Sequence, residues 1–298
     1  METYKVKKQK IAIVGNCQVR PLKHIIEKLC NSVEVIGTPI VHLLKDQNLT
    51  ETYQILDKAD IIVTQVIADN YPCNYIRTNR LKNTYPGKII TILNLFYSGY
   101  TPDWLYVRIP DRGTLKGPMG DYHNFTIIES WLSGKSAVET AELLFDKKYN
   151  QEKYASSVEA SLKELSNREK HVDVPIVDFI NDNLKTERLF FTFNHPSLFL
   201  LCEYAKRILY RLDKTSLHCG LINNLAEPLN QFIPPLNPGV GFNFPTIKEF
   251  RGVDVEIVEG TIKTKGPRVY TTEEIIGTYF EIYTRNADLI KNKYGSSI

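Results

Sequence analysis

The sequence predicts an α/β fold, a parallel sheet flanked by helices, followed by a mostly helical and irregular C-terminal extension. Two observations carry this reading. Short apolar runs recur through the first hundred residues, at 11–14, 33–36, 60–67 and 87–96, with helix-period segments between the stronger ones. Parallel strands cannot be joined by a tight turn, so strands separated by crossover-length helical segments imply a parallel sheet. Beyond about residue 100 the alternation stops, and longer helical patterns take over.

The first run, "IAIV" at 11–14, holds no polar residue and reads as a buried strand. It meets Gly15-Asn16-Cys17-Gln18 and passes into a helix over 21–30, where Leu22, Ile25, Ile26 and Leu29 share one face. Pro21 suits a first helical turn, where its missing N–H costs nothing. A helix over 49–58 precedes the strand "DIIVTQVI" at 60–67, and Tyr85-Pro86-Gly87 introduces "GKIITILNLF" at 87–96. Residues 97–122, rich in Gly, Pro, Tyr and Asp, read as an ordered loop. Two helices follow, over 125–146 and 151–170. "ERLFFTFNHPSLFLLCEYAKRILYRL" gives a strand, a tight Asn194-His195-Pro196-Ser197 turn and a long amphipathic helix. After residue 225 Pro and Gly preclude long helices until a final one over 272–291, with Thr271 or Thr272 at its N-cap and Glu274 in its first turn. Residues 1–215 are expected to form the α/β domain and 216–298 an extension packed on the same core. A chain of 298 residues is long enough for both.

Composition excludes several classes. Apolar residues make up 43% and charged ones 24%, ordinary for a soluble globular protein, and the net charge of +3 is too small to argue for nucleic acid. No run approaches 18 apolar residues, so no transmembrane segment is expected. The N-terminal lysines at 5, 7, 8 and 10 precede no apolar stretch of a signal peptide and read as a flexible charged lead-in. Five cysteines, an odd number with no C-x-x-C pair, argue against a disulfide framework and a structural metal site. A cytoplasmic location with reduced thiols is the expectation.

In open parallel sheets ligands bind outside the carboxyl ends of the strands. Polar groups gather there: Gly15, Asn16, Cys17 and Gln18 after the first strand, Thr64 and Gln65 at the end of another, Asn94 at the end of a third. Asn194 and His195 would join them if their strand enters the same sheet. Cys17 lies near a helix N-terminus, where backbone N–H groups favour an anion, so a thiolate or a phosphate would be stabilised there. A small buried thiol with no chemistry is the alternative. His195 is the best base candidate, with plain capping of the next helix by Asn194 or Ser197 as its rival. His123 is a weaker second. Gln18, Gln65 and Asn94 could donate to a developing oxyanion, a contribution of about 3 kcal/mol per donor in acyl transfer; each could equally hydrogen-bond loop backbone.

The order of Gly15-Asn16-Cys17-Gln18, Thr64-Gln65, the loop Tyr97-Ser98-Gly99-Tyr100-Thr101-Pro102, Asp121-Tyr122-His123-Asn124 and Asn194-His195-Pro196-Ser197 resembles the WcbI-type polysaccharide biosynthesis proteins. The resemblance covers roughly residues 10–215. It implies a capsule acetyltransferase binding coenzyme A, on a Rossmann- or flavodoxin-like sheet or one related to the SGNH hydrolases. By that similarity Cys17 stands where those hydrolases place a serine, Asn94 or Gln65 supplies oxyanion donors, and His195 is the base. The usual Gly-Asp-Ser is missing, and position 192 is Thr where an aspartate would precede the histidine. A cysteine that carries the acetyl group and a His195 that directly activates the sugar hydroxyl both fit. Coenzyme A also needs cations for its phosphates. Besides Gly15 and Asn16, the candidates are Arg20, Arg77 and Arg80, and Arg108, Arg112 and Lys116, with Arg112 representing the last group.

The expected function is therefore acetyl transfer from acetyl-coenzyme A to a sugar hydroxyl of a capsule or surface-polysaccharide precursor, without a metal. An esterase or deacetylase with water as acceptor, and a non-catalytic coenzyme- or nucleotide-sugar-binding module, are the alternatives. A glycosyltransferase is disfavoured by the lack of a clear Asp-x-Asp motif. The sequence leaves oligomeric state open.

Overall fold

The computed structural model describes residues 7–110, 112–242, 244–245, 247–258 and 261–295; Lys5 of the lysine-rich lead-in lies outside them. In chain order the regular elements are β1 (Gln9–Val14), α1 (Val19–Leu29), β2 (Val33–Gly37), α2 (Leu49–Asp57), β3 (Ile61–Gln65), α3 (Thr78–Thr84) and β4 (Ile89–Ile92). Then come β5 (Trp104–Tyr106), β6 (Arg108–Ile109), β7 (Gly113–Thr114), β8 (Tyr122–Asn124), α4 (Phe125–Leu132), α5 (Ala137–Phe145), α6 (Lys147–Tyr154), α7 (Ser157–Glu169), α8 (Val177–Asn183) and α9 (Leu198–Arg211). The chain closes with β9 (Phe250–Val258), β10 (Thr261–Tyr270), α10 (Thr272–Arg285) and α11 (Ala287–Tyr294). Two compact units result. One comprises the residues up to 95 with 164–184 and 196–228, the other 96–163, 185–195 and those from 229 onward.

The first unit holds a four-stranded parallel sheet in the order β2-β1-β3-β4, so the predicted α/β class stands. This is the flavodoxin-type order, in which the chain reverses its direction of travel between β1 and β3 and leaves a crevice at their carboxyl ends. Ile11 to Val14 are wholly buried because both sheet faces are covered. Val19, Leu22, Ile25, Ile26 and Leu29 form the buried stripe of α1, which packs against α9. On the sheet surface formed by Ala12, Val14 and Ile62, Leu56 of α2 and Leu81 of α3 complete a second apolar cluster. Val174 extends the sheet edge by one parallel bridge to Ile92, and Asp173 beside it accepts from both the N–H and the hydroxyl of Thr91 at 2.7 Å.

In the second unit the apolar core gathers Trp104, Tyr122, Ile127, Phe193, Phe250, Ile275, Tyr279 and Tyr283. The region 97–122, expected to be loop, contains the small antiparallel pairs β5–β8 and β6–β7. The helix expected over 125–146 is broken at Gly134, whose φ of 69° no helix residue adopts. No strand precedes Asn194. Residues 187–193 run irregularly, with Phe190 only in an isolated bridge, so Asn194 and His195 are not brought to the sheet by a strand of their own. A long hairpin, β9–β10, occupies part of the tail after 225. The last helix begins as expected, with a capping box in which Thr271 and Glu274 satisfy each other's backbone N–H, and it ends six residues early because Asn286 interrupts it before α11.

Candidate functional site

The turn after β1 is where the first unit concentrates its polar chemistry. Gly15 closes the strand, its N–H bonded to Pro39 O and its O receiving the Val41 N–H. A Cβ at Gly15 would force its neighbours to shift, lying 2.6 Å from Oε1 of Gln65 and 2.8 Å from Cγ1 of Val19. That bareness lets Gln65, at the end of β3, lie against the backbone and accept the Asn16 N–H at 2.8 Å.

Four amides then lock together, and backbone partners fix which end of each is which. The Gln18 N–H donates to Oδ1 of Asn16 (3.0 Å), so Nδ2 of Asn16 faces Asn94 and donates to its Oδ1 at 2.9 Å. The oxygen of Gln65 is identified by the Asn16 N–H, which turns Nε2 of Gln65 onto Oε1 of Gln18 (2.9 Å) and, at 3.4 Å, onto Oδ1 of Asn16. Gln18 grips Leu95 at both ends, receiving its N–H at 3.2 Å and donating to its O at 2.7 Å. Side-chain amides cannot be oriented by shape alone; here main-chain groups of known polarity orient Asn16, Gln18 and Gln65, and Nδ2 of Asn16 in turn orients Asn94. Gln18 is wholly buried and Gln65 nearly so, and their donors are engaged within the network. Nδ2 of Asn94 is different. It has no partner among the described residues, and Asn94 is half-buried on the wall of a pocket of about 270 Å³. Arg168 steadies the same residue from its backbone side, donating to Asn94 O at 3.2 Å.

Cys17 follows Asn16 and is half-buried, two residues ahead of α1. Burial pushes its thiol upward from the ordinary range, and a hydrogen bond from its own backbone N–H opposes this only in part. The thiolate expected from the helix N-terminus is thus outweighed by desolvation. The pocket is walled by Asn16, His42, Gln65, Val66, Tyr71 and Asn94, among others; Cys17 follows Asn16 in the chain and is not itself one of the lining residues. His42 and Tyr71 carried no signal in the sequence. His42 arrives because β2 is the neighbour of β1 and the loop after it returns to Gly15, a pairing that only the strand order reveals.

The cationic candidates are spread out. Arg20 is exposed on the first turn of α1 and Arg80 is exposed on α3. Arg77 is half-buried, its Nε donating at 2.8 Å to Tyr71 O behind the pocket wall. Arg112 is exposed in the β6–β7 turn of the second unit.

His195 also belongs to the second unit. Tyr122 gives its single hydroxyl proton to Oδ1 of Asn194 (2.5 Å), so Nε2 of His195, 3.2 Å from the same oxygen, meets it as a donor. The imidazole lone pair therefore lies on Nδ1, which is buried without a hydrogen-bond partner. The ring stacks on Phe232, and burial lowers its pKa to about 4, so it is neutral at physiological pH. Among the described residues no aspartate is hydrogen-bonded to it; Thr192 instead donates to Asn194. His123 is fully buried between Leu115 O and the Tyr283 hydroxyl and serves the core. Among the described residues no group of three or more His, Cys, Asp or Glu could hold a metal ion, and no helix is long and apolar enough to cross a membrane.

A family model described as the polysaccharide biosynthesis enzyme WcbI matches residues 10–217, a span that contains the amide network and His195. The chain belongs to the WcbI family. Among solved structures, one described as WcbI, a novel polysaccharide biosynthesis enzyme, and as the native protein without a disulfide bond between CoA and one of its cysteines, superposes with a TM-score of 0.73. It is 18% identical and covers 97% of this chain and 96% of its own, so the whole fold is shared. No curated protein matches the chain.

Proposed function

We propose that this WcbI-family chain transfers an acyl group, acetyl in the simplest case, from coenzyme A to a sugar hydroxyl of a capsule or other surface-polysaccharide precursor, in the cytoplasm. The observation that carries the reading is the amide network, which commits the donors of Asn16, Gln18 and Gln65 and leaves Nδ2 of Asn94 uncommitted on a pocket wall at the β1–β3 switch point. A carbonyl oxygen that gains charge during acyl transfer needs such a pre-aimed donor. The solved WcbI structure is described in terms of CoA and a cysteine; we carry that association to Cys17, which follows the pocket residue Asn16 in the chain.

The residues present fit the thioester end of coenzyme A. The half-buried Cys17 thiol, the pocket of about 270 Å³ and the free amide of Asn94 suit a sulfur, an acyl group and a carbonyl oxygen respectively. Exposed Arg20 and Arg80 are candidates of the first unit for the phosphates, with Arg77 behind Tyr71 as a third; Arg112, exposed in the second unit, is a separate candidate. In the reaction, the sugar hydroxyl adds to the thioester carbonyl, the carbon–sulfur bond breaks as the new ester forms, and the hydroxyl proton leaves with coenzyme A as its free thiol; His195 is the base that the family resemblance implies. Asn94 stabilises the oxyanion, while Gly15, Asn16, Gln18 and Gln65 hold Asn94 in place. The raised Cys17 thiol favours direct transfer over an acyl-cysteine intermediate, because the thiol and not the thiolate predominates at neutral pH. The test is acetyl transfer from acetyl-coenzyme A to a panel of sugars. Turnover that collapses in Asn94→Ala and His195→Gln supports the reading; rapid hydrolysis of simple esters without coenzyme A would replace it with an esterase.

A further inference from the structure

Arg188, in the second unit, is a cation whose partners carry no charge. It lies in the irregular segment between α8 and α9, where Nε donates to Phe190 O (3.2 Å) and Nη2 donates to Phe191 O (3.1 Å) and Pro234 O (2.7 Å). Among the described residues no carboxylate pairs with it. Burial is the main influence on the guanidinium and draws its pKa down to about 10, with only Tyr100 acting in the other direction. The third nitrogen, Nη1, has no partner among the described residues and is not sealed from solvent.

Arg188 lines a pocket of about 70 Å³ whose other walls include Phe145, Leu236, Phe242 and Phe244. Tyr100 backs the last two rings at 4.8 and 5.9 Å. The other polar side chain there, Asn237, is spent: it donates to Asn150 at 2.7 Å and accepts the Gly239 N–H at 2.9 Å. A desolvated cation held by neutral carbonyls alone is incompletely compensated, and its forked, planar donors match a carboxylate. The size decides the rest. A water needs about 10–15 Å³ of such space, so the pocket has room for a few waters or for a carboxyl head with its first carbons. Aromatic walls suit the apolar face of a sugar ring, and a forked, planar guanidinium suits a carboxylate; Lys248, whose Nζ lies over the outer wall residue Phe145 at 5.3 Å, adds positive charge nearby.

We propose that this pocket receives the carboxylate of an acidic sugar, a uronic-acid residue of the polysaccharide precursor, and that Arg188 is the specificity determinant. The inference rests on the sugar-acceptor reading above. The test is calorimetric titration of methyl glucuronide and methyl glucoside into the full chain, with acetyl-coenzyme A titrated into the same preparation. The expected result is at least tenfold tighter binding of the glucuronide, with the difference abolished in Arg188→Gln. Because Arg188 also staples three carbonyls, Phe244→Ala serves as a second variant; it leaves the guanidinium in place and should weaken both sugars while preserving the preference for the acid. Equal affinity for the two sugars, no binding of the glucuronide, or a preference that survives Arg188→Gln would overturn the proposal. Acetyl-coenzyme A binding without glucuronide binding refutes this inference and leaves acyl transfer standing. Glucuronide preference without acetyl-coenzyme A binding does the reverse.

Discussion

Replacing Asn94 by alanine deletes two things at once, the acceptor for Asn16 and the uncommitted Nδ2 donor, so a second variant is needed to separate them. Asn94→Asp keeps an acceptor for Asn16 and removes the donor. Both variants should lower kcat by about 10²–10³, the usual loss for one oxyanion donor, while the KM for acetyl-coenzyme A changes far less. Steady-state kinetics checks this, and a selective rise in KM would place Asn94 in ground-state binding instead. The residue types at the strand ends were readable from the sequence, since apolar runs ending in Gly15-Asn16-Cys17-Gln18, Gln65 and Asn94 announce a ligand edge. Which donor remains free was not. That depends on hydrogen bonds between residues 49 to 78 positions apart, such as Gln65 to Asn16 and Asn16 to Asn94. The state of Cys17 was left open by the sequence for a related reason. A helix N-terminus is visible in a sequence, and the desolvation that overrides it is not.

At the scale of elements, the β1–α1 turn depends on Gly15. Gly15→Ala drives a Cβ into Gln65 and Val19, so either Gln65 is displaced from the Asn16 N–H or the turn shifts. A loss of about 1–3 kcal/mol of stability is expected, together with weaker acetyl-coenzyme A binding; denaturant unfolding and calorimetry report the two separately. An unchanged affinity in a destabilised variant would uncouple the turn from ligand binding. The α10 capping box offers a control far from this chemistry: Thr271→Ala should cost about 1 kcal/mol in the same unfolding experiment and leave binding untouched. Elements with strong periodicity, β1, α1, β3, β4 and α9, were predictable because burial forces apolar residues onto one face. The β9–β10 hairpin was missed because β10 is exposed along nearly its whole length and carries Lys263, Lys265 and Pro267, so no alternation of apolar and polar residues marks it. The opposite error fell on residues 187–193. Leu189, Phe190 and Phe193 are buried as a strand would bury them, yet Arg188 and not a strand ladder satisfies the Phe190 and Phe191 carbonyls.

For the molecule as a whole, three buried groups in the second unit set the acid limit of stability. His123 and His195 both titrate near 4, below the ordinary 6.5, because burial disfavours their charged forms. As pH falls the unfolded chain takes up these protons first. Their contribution is full above about 6.5 and declines by up to about 1.4 kcal/mol per pH unit for each histidine on the way down to 4. Buried Asp103, raised to about 6, acts in the other direction: its contribution is largest below 3.8 and is lost as pH rises through 6. Two histidines outweigh one carboxyl, so the urea midpoint should fall between pH 7 and pH 4.5, and His195→Gln should flatten that fall. The α/β class was evident from apolar runs alternating with helix-period segments, and the family from the order of short motifs. The interleaving of chain segments between two compact units was not, because it follows from long-range packing that no local pattern encodes. The most direct measurement is calorimetric titration of acetyl-coenzyme A into the wild-type chain at two salt concentrations. Micromolar binding that weakens as salt screens the phosphates is the expected result. No binding up to millimolar ligand would contradict the assignment of the β1–β3 crevice to coenzyme A.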